Sequence, residues 1–136
     1  MSPEFTKYLL NCDPSWIHFF LRDAYLFISE SDSMATEAAI LGTPSIMVNT
    51  SAKYFGVFEY IKKFSILFYY EEENEAIEKI TELLSLNKLE QTATNNFYKY
   101  FEDSINITDF IVLFIEEYPE SFKEKKENSN YQYNFR

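Results

Sequence analysis

Three short apolar runs, each separated from the next by a helical segment, constrain the fold of this chain more than any other feature. They are YLFIS at Tyr25–Ser29, SIMVN at Ser45–Asn49 and SILFYY at Ser65–Tyr70. Mostly apolar runs of this length are typical of strands buried in a parallel sheet. Because helices join them, the strands are expected to be connected by right-handed crossovers. The sequence therefore predicts a three-layer α/β domain with a small parallel sheet.

Two helices carry clear start or stop signals. Asp13 offers an N-cap acceptor and Pro14 suits the first helical position, so a helix is predicted at Ser15–Arg22. A second helix is predicted at Met34–Leu41, where Gly42 follows as a typical C-terminal signal. These two helices enclose the first apolar run.

The remaining helices follow from apolar periodicity. They are predicted at Phe55–Phe64, Glu72–Ser85, Lys88–Phe101 and Ile107–Tyr118. Asn106 or Thr108 is the N-cap of the last one. The sheet is small, with Tyr8–Leu10 as a candidate fourth strand. We expect one domain over residues 1–122 and a polar C-terminal tail over residues 123–136 that is mobile unless it is docked.

The acidic balance of the chain excludes one class of partner. With 22 Asp and Glu against 12 Lys and Arg, the formal net charge is −10, so the basic surface that nucleic acid requires is missing. One cysteine, Cys12, and one histidine, His18, make neither a disulfide nor a metal-ligand cluster, and no metal or other cofactor is expected. Without a signal-like N-terminus or an apolar run of membrane length, we expect a cytoplasmic protein with no membrane span.

Aromatic residues are frequent, with 14 Phe and 11 Tyr in 136 residues. One interpretation is a biased genome composition. The other is that some of these side chains cover a surface that another domain or a second copy normally meets. Both interpretations stay open at the level of the sequence.

The turn from Ser29 to Ser33 is the one place where the predicted fold groups side chains that could bind a ligand. In open α/β sheets, ligands bind beyond the carboxyl ends of the strands, and this turn leads into a helix whose first N–H groups attract anions. Ser31, Ser33 and Thr36 add hydroxyl donors. Glu37, one turn deeper, can accept hydrogen bonds from a ribose diol. We therefore predict a nucleotide-binding site made by Ser31, Ser33, Thr36 and Glu37.

A purely structural interpretation explains the same residues. Ser33 is then an N-cap, Ser31 and Asp32 are turn residues, and Glu37 is a solvated helix residue. Classical dinucleotide and P-loop motifs are absent, since the chain contains only 2 glycines.

The segment Ser29–Ile46, SESDSMATEAAILGTPSI, resembles the C-terminal domain of the bacterial and archaeal family catalogued as domain-of-unknown-function 354. It is similar, more distantly, to non-hydrolysing UDP-N-acetylglucosamine 2-epimerases and other GT-B glycosyltransferases. CDPSWIHFFLRDAYLFI and INITDFIVLFIEEYPESFKEKKENSNYQYNF extend the resemblance over nearly the whole chain. It implies the Rossmann-like, nucleotide-side half of a GT-B fold with C-terminal helices, and an N-terminal domain that is expected to be missing.

The resemblance also implies roles for single residues. Glu37 matches the glutamate that holds the nucleotide ribose in the epimerases, and Ser31 matches the serine of their phosphate-binding turn. Ser33 stands where they have the second glycine of that turn. Three neighbouring positions depart from the family pattern: Glu30, Asp32 and Ala35.

Two functions follow as alternatives. The first is the donor-nucleotide-binding half of a GT-B-like sugar-nucleotide transferase or epimerase, with a UDP-sugar-like ligand. It is inactive without the missing domain, because the reaction cleft lies between two domains, and no catalytic residue is assigned. The second is a non-enzymatic α/β interaction module that packs on a partner or a second copy through the aromatic-rich helices of Lys88–Tyr118 and the tail, or a truncated gene product.

Two further groups receive structural interpretations. His18, on an apolar helix beside Phe19 and Phe20, is expected to be a packed core residue. The run Glu71–Glu73 is expected to begin a helix, where carboxylates interact favourably with the helix dipole.

Overall fold

The computed structural model describes residues 3–50 and 56–136. The chain divides into two compact units, Met1–Phe97 and Tyr98–Arg136. The first residue of the predicted helix Phe55–Phe64 lies outside the described residues.

The first unit contains a three-stranded parallel sheet. Its strands are β1 (Phe27–Ser29), β2 (Ser45–Val48) and β3 (Leu67–Tyr70), in the order β1-β2-β3. Ile28 lies opposite Ile46, and Ile46 lies opposite Phe68. Every strand falls within one of the apolar runs that predict it, which confirms an α/β fold with a small parallel sheet.

Helices occupy the segments between the strands. Those of the first unit are α1 (Ile17–Asp23), α2 (Asp32–Ile40), α3 (Gly56–Lys62) and α4 (Glu73–Leu84), with 3-10 helices at Pro3–Tyr8 and Pro14–Trp16. A further helix, α5 (Leu89–Asp103), begins in the first unit and ends in the second. Asp13 caps the turn before α1 as predicted, because its carboxylate accepts a hydrogen bond from the Ser15 N–H at 2.9 Å.

The prediction of a fourth strand at Tyr8–Leu10 is wrong. Tyr8 ends a 3-10 helix, and the two leucines after it belong to no strand. A strand needs a hydrogen-bonded neighbour and a buried face, whereas Leu9 and Leu10 are both exposed.

Helices cover both faces of the sheet. Right-handed crossovers place α2 and α3 on one face. Ala35, Ala38 and Ala39 of α2 are fully buried, and their small side chains let the helix lie close to β1 and β2. On the other face, Ile46 of β2 packs with Ala76 of α4. The sheet is therefore the middle layer of three.

The turn after α2 has the geometry that the sequence predicts. Gly42 has a φ of 96°. The N–H groups of Gly42 and Thr43 donate to the carbonyls of Ala39 and Ala38 at 3.1 and 3.0 Å, which is a Schellman motif. The buried Thr43 hydroxyl donates to the Leu21 carbonyl of α1 at 2.7 Å. The turn therefore ties the end of α1 to the end of α2.

The second unit is helical. After the end of α5 it contains α6 (Ile107–Glu116), α7 (Glu120–Glu127) and a 3-10 helix at Tyr131–Phe135. Asn106, one of the two predicted caps, begins α6. Its side-chain oxygen accepts hydrogen bonds from the N–H groups of Thr108 and Asp109 at 3.1 and 3.2 Å.

Residues 123–136 form secondary structure. They contain part of α7 and the whole last 3-10 helix, and Tyr131 is buried. Phe110 of α6 packs against the rings of Tyr131 and Phe135, with centroid distances of 6.2 and 5.4 Å. The prediction left open that the segment is docked, and these two aromatic side chains supply the apolar face through which it packs on α6.

The longest helix, α5, has 15 residues, whereas a helix that crosses a bilayer needs about 20. Across the described ranges, no helix is long and apolar enough to cross a membrane.

Candidate functional site

The N-terminus of α2 lies directly beyond the sheet. Only Glu30 and Ser31 separate the end of β1 at Ser29 from the helix. Ser31 has extended backbone angles, and its Oγ accepts a hydrogen bond from the Met34 N–H at 3.4 Å, so it is the N-cap. The Ser31 N–H donates to the Ser29 Oγ at 2.8 Å. The helix therefore starts earlier than predicted, and the interpretation of Ser33 as the N-cap is wrong.

Ser33 is instead the second residue of α2, and it is exposed. Its N–H donates to Asp32 Oδ1 at 2.7 Å, and the Ser33 hydroxyl lies 3.4 Å from the same oxygen. A carboxylate thus occupies one of the N–H groups that a helix N-terminus offers to an anion. Asp32 therefore competes with any phosphate that binds there.

Glu37 lies on the same face of α2 as Ser33, because residues four apart are neighbours on a helix surface. Its Oε2 is 3.4 Å from the Nε2 of His18, and the side chains of His18 and Glu37 are 63% and 43% exposed. The pair is ionic only when the imidazole is protonated. The expectation that His18 is a packed core residue is wrong, because α1 buries only Leu21 and His18 reaches across the surface to α2.

The structure places the four predicted residues at the start and in the middle of α2. Ser31 caps the helix, and Ser33 lies in its first turn. Thr36 and Glu37, both half-buried, follow one turn later. The arrangement offers hydroxyl groups and backbone N–H groups at the helix start and a carboxylate further along.

A second group of polar residues lies at the same edge of the sheet. Glu30, Glu71 and Glu73 line an open cavity of about 350 Å³, together with Asn49. The Asn49 Nδ2 donates to the Glu30 carbonyl at 3.2 Å and joins the ends of β1 and β2. Because three carboxylates repel an anion, this cavity disfavours a phosphate group.

The grouping of these glutamates is missed at the level of the sequence, although a signal for it exists. Glu30 follows β1 and Glu71 follows β3, and the carboxyl ends of parallel strands meet at one edge. Glu73 begins α4, so the run Glu71–Glu73 leads into a helix as predicted. Among the residues that the structure describes, no group of three or more His, Cys, Asp or Glu side chains could hold a metal ion.

Comparison with known proteins adds no further information. No family model matches the chain, and no curated protein or solved structure matches it significantly. The family assignment therefore stays a prediction.

Proposed function

We propose that this chain is the donor-nucleotide-binding half of a GT-B-like sugar-nucleotide transferase or epimerase that works in the cytoplasm. The observation that carries the proposal is the position of α2. The helix begins directly beyond the carboxyl end of β1 and has Ser33 and Glu37 on one face. Open α/β sheets bind their ligands at this position.

The face of α2 that carries Ser33 and Glu37 matches two parts of a nucleotide. The first turn offers backbone N–H groups, the positive end of the helix dipole and the Ser33 hydroxyl, which suit a diphosphate. Glu37 lies about 6 Å further along the helix, and its carboxylate can accept hydrogen bonds from both hydroxyls of a ribose. Ser31 fixes the start of the helix, and Thr36 adds a hydroxyl beside Glu37.

The chain alone is expected to have a low affinity for a nucleotide. The site is open to solvent, and Asp32 occupies one of the helix N–H groups. In a two-domain architecture, the second domain supplies the rest of the ligand contacts and the reacting groups. We therefore expect weak nucleotide binding without turnover.

Calorimetric titration with UDP and UDP-N-acetylglucosamine tests the proposal. We expect Glu37→Gln, which keeps the shape of the side chain but removes its charge, to weaken binding about tenfold, because hydrogen bonds to charged groups are the stronger ones. Glu78→Gln changes an exposed carboxylate of α4 outside the site and serves as the matched control.

Two results would remove the proposal. One is the absence of binding at millimolar nucleotide. The other is binding that Glu37→Gln and Glu78→Gln leave equally unchanged. The Glu37 carboxylate would then have no role in holding the ribose.

A further inference from the structure

β1 is an edge strand, and among the described residues no strand pairs with its outer edge. On the inner edge, the Phe27 N–H donates to the Pro44 carbonyl at 2.9 Å, directly before β2. Because successive residues of a strand turn their backbone groups to opposite edges, the N–H and the carbonyl of Ile28 face outward. β1 therefore offers a backbone donor and a backbone acceptor to a further strand.

The sequence of β1 lacks the residues that usually protect an edge strand. Natural sheets often place a lysine or a proline at such an edge, which prevents pairing with another chain. The run Tyr25–Ser29 contains no charged residue, proline or glycine. At the opposite edge strand, β3, the Nζ of Lys79 lies 4.5 Å from the ring centroid of Phe68. A further strand is therefore better accommodated at β1 than at β3.

An apolar groove lies beside the outer edge of β1. Ile28 is on the same face of the sheet as Ile46, the residue opposite it, and this face carries α4. Because α4 packs mainly on β2 and β3, Ile28 and Ile77 of α4 stay 49% and 57% exposed. They line an open cavity of about 440 Å³, which we call the β1 groove, together with Val48, Ala76 and Ile80. Strands of a parallel sheet are normally buried on both faces, so this exposure is unusual.

Carboxylates stand at one end of the β1 groove. Glu30 directly follows β1 and Glu73 begins α4, and both residues are exposed and line the groove. The same two residues also line the cavity that contains Glu71. No Lys, Arg or His is among the described residues that line either cavity. The end of the groove beyond β1 is therefore acidic.

We propose that the β1 groove binds an extended segment of another protein, which pairs with β1 and places an apolar side chain between β1 and α4. In this mode of recognition, main-chain hydrogen bonds give affinity and pockets for alternate side chains give specificity. The backbone of Ile28 supplies the hydrogen bonds, and Ile77 supplies one wall of the pocket. Glu30 and Glu73 add a preference for Lys or Arg at the end of the segment that lies beyond β1.

Two other occupants match these features less well. A helix satisfies its own backbone groups, so it would leave the outward N–H and carbonyl of Ile28 without partners. A second copy could pair with β1 in an antiparallel arrangement centred on Ile28. Glu30 would then lie across from Leu26 of the other copy and not from a basic residue, in a chain whose formal net charge is −10.

Three synthetic peptides, each titrated into the full chain labelled with ¹⁵N, test the inference. The first has valines alternating with threonines and carries lysines at both ends. The second carries glutamates at both ends instead. The third keeps the lysines but has methylated backbone nitrogens, so it donates no main-chain hydrogen bond. We expect only the first to bind, to shift the amide signals of Ile28 and α4, and to lose affinity as salt is added.

Substitutions in the β1 groove sharpen the test. Ile77→Gln removes apolar surface from the groove but keeps a good helix former, and we expect it to raise the Kd of the first peptide about tenfold. Ile28→Thr keeps a β-branched residue in the strand and should weaken binding to a similar extent. Val57→Gln, at a 50% exposed position of α3 on the opposite face of the sheet, is the matched control and leaves the Kd unchanged.

Several results would overturn the inference. Absence of binding by the first peptide at millimolar concentration, or shifts only outside β1 and α4, would remove the site. Equal binding of the methylated peptide would exclude strand pairing, and equal binding of the glutamate peptide would exclude the preference for basic residues. A dimer in sedimentation that Ile77→Gln abolishes would make a second copy the occupant. Unfolding of both groove variants, seen by circular dichroism, would show that Ile28 and Ile77 belong to the core.

Discussion

The Nε2 of His18 lies 3.4 Å from the Oε2 of Glu37, so α1 contacts the carboxylate that we assign to the ribose. Both side chains are partly exposed, and ion pairs of this kind contribute little to stability. A ligand can therefore displace the imidazole at small cost. The contact makes His18 a competitor of the nucleotide whenever the imidazole is protonated.

Replacement of His18 tests this competition. We expect His18→Asn to strengthen UDP binding about two- to fivefold, which corresponds to the loss of an exposed ion pair. Calorimetry on the variant and the wild type measures the effect. Weaker binding by the variant would instead mean that His18 itself contacts the ligand.

Asp32 is the second competitor at the site. Its carboxylate accepts the Ser33 N–H and places a negative charge where a phosphate is expected. We predict that Asp32→Asn strengthens UDP binding about two- to fivefold, the size of a charge effect at a helix N-terminus. The affinity for uridine, which lacks phosphate, should not change. An equal gain for uridine and UDP would contradict the assignment of the diphosphate to this helix end.

The Thr43 hydroxyl is expected to matter for stability. It is buried and donates to the Leu21 carbonyl at the end of α1. Thr43→Val keeps the shape but leaves that carbonyl without this donor, which costs about 1–3 kcal/mol of the free energy of unfolding in urea. Thr81→Val, at an exposed position of α4, should change it by less than about 0.5 kcal/mol. Equal effects of the two substitutions would show that the tie between α1 and α2 is unimportant.

Because of Tyr69, the stability of the fold is expected to change with pH in the alkaline range. Its hydroxyl donates a hydrogen bond to Glu59, which raises the pKa of Tyr69 above the ordinary value. The folded state thus holds this proton more tightly than the unfolded chain. Its contribution to stability is complete below the ordinary tyrosine pKa of about 10 and is lost as the pH rises through the raised value. We expect Glu59→Gln to lower the pKa of Tyr69 in an NMR titration of ¹³C-labelled tyrosine rings, and an unchanged pKa would refute this origin of the shift.

Features decided by a residue's own side chain are predictable from the sequence. Gly42 ends α2 because it adopts a left-handed conformation at little cost. Asn106 begins α6 because its side chain caps the next N–H groups. The strands are predictable for a similar reason, since a short apolar run between helices is typically buried as a strand of a sheet.

Features decided by distant neighbours are not predictable in this way. Ser31 and Ser33 are equally good N-caps by residue type, and the structure uses the one whose N–H reaches the Ser29 hydroxyl. His18 is misassigned because its partner, Glu37, lies on another helix. For the candidate site, the residue types are therefore predictable, whereas the competition from Asp32 and His18 becomes visible only in three dimensions.

An NMR titration of the ¹⁵N-labelled chain with UDP locates the nucleotide residue by residue. We expect the largest amide shifts at Asp32, Ser33 and Glu37 and none in α6, because the ligand lies along the first turns of α2. Shifts that are absent at millimolar UDP, or that occur only in other helices, would contradict a nucleotide site on α2.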